Sequence, residues 1–282
     1  MNILSIQSWV AYGHVGNASA VFPLQRLGAE VWAVNTVQFS NHTGYGDWTG
    51  DVFSGAQITR LIDGIAARGA LARCDAVLSG YVGDASIGAA ILDAVLRTKA
   101  ANPSALYCCD PVIGDDGTGA YVRPGIAAFL AEEALTLADI VTPNRFELEW
   151  LTGESCATLA STRRAIAAVQ ARGPRCVLAT SMRTEDTPHD AIDMVVGEGG
   201  TLHQLRTPRL ELSINGAGDA LAALFLFHYL RGGTAGEALA EAGSAIHGLL
   251  VHTARAGARE LQMVAAQDEF VAPSRRFLAR PC

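Results

Sequence analysis

Lysine is almost absent from this sequence: of 21 basic side chains only Lys99 is a lysine, and it falls near the end of a predicted surface helix. A Schiff-base enzyme needs a lysine in its pocket, so that chemistry is excluded. There is no Walker lysine for a nucleotide phosphate either. Basic residues never run longer than a pair and the formal net charge is −7, which argues against a nucleic acid or an anionic membrane as partner. No apolar run approaches the roughly 18 residues of a spanning helix. Met1 to Ile6 has no basic segment ahead of its apolar residues, so a cytoplasmic location is expected. The six cysteines, Cys74, Cys108, Cys109, Cys156, Cys176 and Cys282, form no C-x-x-C pair and several sit in apolar contexts. Buried reduced thiols are expected, not a disulfide framework or a thiolate zinc site. His247 and His252 are five apart and so not on one helical face, which removes a two-histidine metal site.

What remains is a chain of 282 residues and 29.6 kDa, half of it hydrophobic, with a mean hydropathy of +0.22. That is enough to bury a sizeable core. Strand and helix patterns alternate along nearly the whole length. Asn2 to Gln7 reads as a strand, Ser8 to Asn17 as a loop, and Ala18 to Leu27 as a helix capped by Asn17; Val31 to Val37 is the next strand. Further strands are expected at Ala76 to Leu78, Ala105 to Cys109, Ala138 to Val141 and Cys176 to Ser181. Ile192 to Val196 with Leu202 to Leu205 reads as an antiparallel pair at the sheet edge. Helices are expected from Ser54 to about Arg68, Ile87 to Ala100, Thr162 to Arg172 and Thr234 to about His252. No linker, low-complexity run or repeat interrupts the pattern, so one α/β domain with a mainly parallel sheet is expected.

Four stretches carry chemistry. Asn215, Gly216, Ala217, Gly218 and Asp219 form a glycine turn opening a helix, where free N–H groups and the helix dipole suit an anion. Asp219 in that first turn reads either as a local cap or as a base that takes a proton from a hydroxyl. Asp110 ends a strand and points into the crevice where α/β proteins bind ligands, whereas Asp115 and Asp116 read as a solvated turn. Asn144 followed by Glu147 has capping-box spacing after a strand, and a carboxylate there can also hold magnesium through water. Phe39 to Trp48, dense in polar groups and rings, reads as an exposed hairpin or as a substrate-facing lid.

Taken together and in this order, Asp110, the Asn144 and Glu147 pair, and Gly216 to Asp219 resemble the ribokinase superfamily of small-molecule kinases. Within it the chain is similar nearly end to end to the pyridoxal kinase family, particularly the bacterial type. The first loop (Gln7, Ser8, Tyr12, Gly13, His14, Gly16, Asn17), the run Asn35 to Thr43, Trp48 to Gly50, Ser79 to Tyr81, Asp110 to Val112, Thr142 to Asn144 with Glu147, and Glu260 to Gln262 carry that likeness.

The resemblance implies a ribokinase-like three-layer sandwich with a lid at about residues 37 to 50, and transfer of the γ-phosphoryl group of ATP to the 5′-hydroxymethyl group of pyridoxal and related B6 vitamers. Asp219 matches the catalytic base, and Gly216, Ala217 and Gly218 match the anion hole. Ser8 and Thr43 match residues that contact the pyridine ring's polar groups, and Phe39, His42 and Tyr81 match the ring's lining. Asp110, Thr142, Asn144, Glu147, Thr180 and Ser181 are expected to face the nucleotide and its ions, with Asp110 and Glu147 reaching Mg²⁺ through water or phosphate. Thr207, Pro208, Arg209 and Leu210 are expected near the adenine or ribose. A monovalent cation and a homodimer are further expectations. Phosphoryl transfer asks mainly for positioning, a base and charge neutralisation, and backbone amides with Mg²⁺ supply that charge without lysine. The alternatives are a hydroxymethylpyrimidine kinase, which differs in the ring pocket, and a B6-vitamer binder without turnover.

Overall fold

The computed structural model describes residues 1–282. Its elements run β1 (Asn2–Val10), α1 (Asn17–Arg26), β2 (Glu30–Phe39), β3 (Gly50–Val52), α2 (Gly55–Ala66), β4 (Ala76–Ser79), α3 (Ala85–Ala101), β5 (Leu106–Cys109), β6 (Gly114–Asp115), β7 (Gly119–Ala120), α4 (Ile126–Phe129) and α5 (Leu135–Leu137). They continue with β8 (Ile140–Val141), α6 (Arg145–Thr152), α7 (Leu159–Gln170), β9 (Cys176–Met182), β10 (Ala191–Glu198), β11 (Thr201–Pro208), α8 (Ala217–Leu230), α9 (Ala235–Arg255), α10 (Asp268–Val271) and β12 (Arg280–Pro281).

Ten strands form one sheet in the order β12-β11-β10-β9-β8-β5-β4-β1-β2-β3. The six from β9 to β2 pair in parallel, and antiparallel strands close both ends. The pleat decides which side chain faces which layer, because successive residues of a strand point to opposite faces. Leu4, Val77, Tyr107, Val141 and Val177 face one core with α2, α3, α6 and α7. Ile3, Leu78, Cys108, Ile140 and Cys176 face the other with α1, α8, α9 and α10. The result is the expected three-layer α/β/α sandwich. Five cysteines are buried and all six are free, as their apolar contexts require.

Helix starts follow local chemistry. Ser54, Asn144, Thr158 and Thr234 each close a capping box with the residue three positions on, so the expected Asn144 and Glu147 box is present. Helix α8 is buried along most of its length, which explains why its sequence is apolar all round and not striped.

Three expectations need correction. Asn17 does not cap α1. Gly16 holds the cap position, while the buried Asn17 carboxamide donates to Val34 O (3.1 Å) and Asn35 Oδ1 (2.9 Å) and accepts from Ser5 Oγ (2.7 Å). Turned toward two strands inside the sheet, the side chain is directed away from its own helix start. The first strand also runs past Gln7 to Val10, through a register shift between Gln7 and Trp9 that turns Ser8 out of the regular ladder. Finally, residues 37 to 39 belong to β2, so the lid proper is Ser40 to Thr49, a segment with one short helical turn at Thr43–Tyr45.

Candidate active site

The parallel strands deliver their C-terminal ends to one edge of the sheet, the usual binding crevice of such folds. Ser8 lies near the end of β1 and Phe39 ends β2, while Tyr81, Asp110 and Thr142 follow β4, β5 and β8 and Thr180 and Ser181 lie near the end of β9. Two cavities, each of about 520 Å³, open along this edge. The turn Asn215 to Gly218 lies between them.

The first cavity is lined by Ser8, Val10, Val15, Val37, Phe39, His42, Thr43, Gly44 and Tyr81 on one side and by Asn215, Gly216 and Asp219 at its base. All five residues expected at the ring, and the expected base, therefore meet in one place. Val10, Val15, Val37 and Phe39 form a small apolar cluster against which Tyr81 packs. His42 Nδ1 accepts the Gly44 N–H at 3.1 Å, so the ring proton sits on Nε2. Burial lowers the His42 pKa against the opposing pull of Glu260, which favours the neutral imidazole. Phe39 stacks against Trp48 of the lid with ring centroids 4.1 Å apart.

The second cavity is lined by Thr180, Ser181, Thr207, Pro208, Arg209 and Leu210, as expected, and by Ala217 and Gly218 of the turn. Ser181 has φ of +53°, the one non-glycine residue on the left-handed side. Such a conformation persists only where the surroundings over-determine it, and it marks the wall of a site.

The turn is held from behind. Gly216 has φ of +86° at the start of α8, and a Cβ there would sit 1.7 Å from His14 O, so no other residue fits. Ser19 Oγ donates to Gly216 O at 2.7 Å. Asp219 lies in the first turn of α8, whose N-cap residue, Gly216, has no side chain to cap it. Burial raises its pKa to about 6, with the Gly16 and Asp219 amides pulling the other way. A carboxylate with a pKa near 6 can act as a base close to neutral pH.

Asp110, Thr142, Asn144 and Glu147 do not line either cavity, although Asp110 is near enough to Asp219 for their charges to interact. Thr142 Oγ1 donates to Asp110 Oδ1 at 2.9 Å. Burial, Glu147 and Asp219 together push the Asp110 pKa well up. Glu147 is raised to about 7 by burial, although Oε2 accepts the Asn144 N–H (2.8 Å) and Oε1 the Ile113 (2.9 Å) and Gly114 (3.4 Å) N–H groups. These buried carboxylates near the glycine turn have a surplus of negative charge that a cation would relieve. No cluster of three His, Cys, Asp or Glu side chains is close enough to grip an ion directly. A cation held through water and phosphate oxygens fits these residues.

Residue reading missed part of both linings. Asp115, read as a solvated turn, reaches the first cavity with Thr118 and Tyr121 because β6 and β7 fold over it as a small hairpin. The apolar wall of the second cavity, including Met194, Leu221, Ile246 and Leu250, comes from β10, α8 and α9. Those residues look like ordinary core positions in sequence, and no local signal separates them.

Known proteins match this arrangement. The family model described as phosphomethylpyrimidine kinase matches residues 49–263. The pyridoxal kinase PdxY of Granulibacter bethesdensis is 62% identical, with 100% of both chains covered. The same enzyme of Deinococcus radiodurans is 56% identical over 99% of this chain and 95% of its own. Among solved structures, a Leishmania donovani pyridoxal kinase in complex with ADP and pyridoxine superposes with a TM-score of 0.92 at 30% identity, covering 100% of this chain and 99% of that one. On identity, full-length coverage and shared architecture, the chain belongs to the pyridoxal kinase family.

Proposed function

We propose that the chain transfers the γ-phosphoryl group of ATP to the 5′-hydroxymethyl group of pyridoxal and related B6 vitamers. The observation that carries this reading is the meeting of two cavities at one turn, with Asp219 on the side of Ser8, Phe39, His42, Thr43 and Tyr81 and the Gly218 amide on the side of Arg209. The aromatic and valine cluster suits a flat heteroaromatic ring, and Ser8 and Thr43 offer hydroxyls to its polar substituents. Asp219 takes the proton of the vitamer hydroxyl as it attacks, while the Gly216 to Gly218 amides hold the phosphoryl oxygens. Both halves are needed.

The nucleotide lies in the second cavity, its phosphates toward Ala217 and Gly218 and its base or ribose near Thr207 to Leu210. Asp110 and Glu147 would hold Mg²⁺ through water or phosphate, with Thr142 and Asn144 fixing those two carboxylates. When bound, the ion supplies neutralisation of the phosphate charge. A monovalent cation beside the phosphates and a homodimer belong to the same reading. The dimer requires a sedimentation mass twice the 29.6 kDa of one chain.

Purified protein with Mg-ATP is therefore expected to phosphorylate pyridoxal with a kcat/KM about 10²-fold or more above those for hydroxymethylpyrimidine and ribose. The reverse order would make the protein a hydroxymethylpyrimidine kinase. Vitamer binding with no ADP release would make it a binder without turnover.

A further inference from the structure

The lid covers the first cavity with His42, Thr43 and Gly44, yet its short helical turn has no buried residue of its own. Most of its hydrogen bonds stay within it, as in Asn41 Nδ2 to Asp47 O at 3.0 Å. Only one leaves the segment from Asn41 to Asp47 for a distant part of the chain: Tyr45 Oη donates to Glu260 Oε1 at 2.6 Å. Arg259 lies over the same ring, 4.8 Å from its centroid, and Tyr12 meets it edge-on at 6.2 Å. Neighbours root Glu260 firmly. Leu261 is buried in the core, and the Gln262 N–H is held by Thr253 Oγ1 at 3.1 Å.

The second oxygen faces elsewhere. Glu260 Oε2 accepts the His14 N–H at 3.1 Å, and the carbonyl of that same residue, His14, backs onto Gly216 of the anion-hole turn. One carboxylate thus joins the lid to the loop that braces the turn. A charged acceptor at this distance makes a strong bond, and the lid's other long-range anchors are ring contacts, Tyr45 on Tyr12 and Trp48 on Phe39.

We propose that Glu260 is the positioning residue that latches the lid over the vitamer cavity in register with the anion-hole turn. It touches neither substrate. It sets how firmly His42 and Thr43 are presented to the ring, and leaves the nucleotide cavity as it is. The assignment of the cavity to a vitamer rests on the function proposed above; the latch itself does not.

Tyr45→Phe removes one hydroxyl from a half-exposed ring and leaves the fold intact. Hydrogen exchange on the free enzyme should then show faster exchange of residues 41 to 47, with residues 217 to 230 unchanged. In turnover, Tyr45→Phe and Glu260→Gln should each raise the pyridoxal KM about tenfold, as for loss of a hydrogen bond to a charged group, with the ATP KM within about twofold. The double variant should be no worse than Glu260→Gln alone. Unchanged lid exchange in Tyr45→Phe overturns the latch, as do multiplicative effects in the double variant or an equal rise in both KM values. Absence of pyridoxal turnover in the unmodified enzyme would defeat the functional reading instead, and the exchange measurement would still decide the latch.

Discussion

At the scale of single residues, Asp219 and Glu147 show why a carboxylate in a first helical turn has two readings. Both sit where a helix start welcomes negative charge. Glu147 does cap, through Asn144, and its other oxygen pins Ile113 and Gly114 at the root of the β6 and β7 hairpin. Asp219 closes no capping box; the Gly16 amide and its own amide favour its charged form, and it opens on the cavity. The capping box was legible from a three-residue spacing, while the grip on Ile113 was not, because that contact spans 34 positions of chain. The raised pKa of Asp219, about 6 on account of burial, has a kinetic consequence. A base works when deprotonated, so kcat/KM for pyridoxal should fall about tenfold per pH unit below pH 6 and level off above it. The residual activity of Asp219→Asn should lack that acid limb. A limb that survives the substitution assigns it to another group.

At the scale of elements, the glycine turn and helix α8 separate fold from chemistry. Gly216 is needed by the backbone: its φ is +86° and a Cβ meets His14 O. Gly218 is not, since a Cβ there meets nothing within 4 Å and no left-handed φ is involved. Gly218→Ala should therefore leave the thermal midpoint unchanged or slightly higher, a gain of up to about 1 kcal/mol from helix propensity. The added methyl would stand on the cavity side, where the phosphates are proposed to bind, and kcat should drop about 10²-fold or more. Gly216→Ala should lower both the midpoint and the activity. Calorimetry beside a turnover assay checks the pair, and a fully active Gly218→Ala enzyme would remove the phosphates from that wall. The turn was readable in sequence because glycine and a following apolar run are local signals. The role of α9 was not, since Ile246 and Leu250 reach the second cavity only after the sheet has folded.

At the scale of the whole molecule, alternation of strand and helix was enough to expect the sandwich, because a parallel sheet must have its crossovers covered by helices on both faces. What pattern could not show were the pieces joined late in sequence and close in space. β12 pairs with β11 through only His203 and Gln204, and Glu260 meets Tyr45 across 215 positions. Such contacts carry no period. They nevertheless hold the margins of the molecule, one tying down the outer edge of the sheet and the other the lid. The account as a whole rests on two half-sites that share one base, and Asp219→Asn tests it most directly. Pyridoxal binding by calorimetry should stay within about threefold of the unmodified enzyme while kcat falls about 10² to 10⁴-fold. A kcat that hardly moves would contradict it, and would leave Asp219 as a residue that only begins a helix.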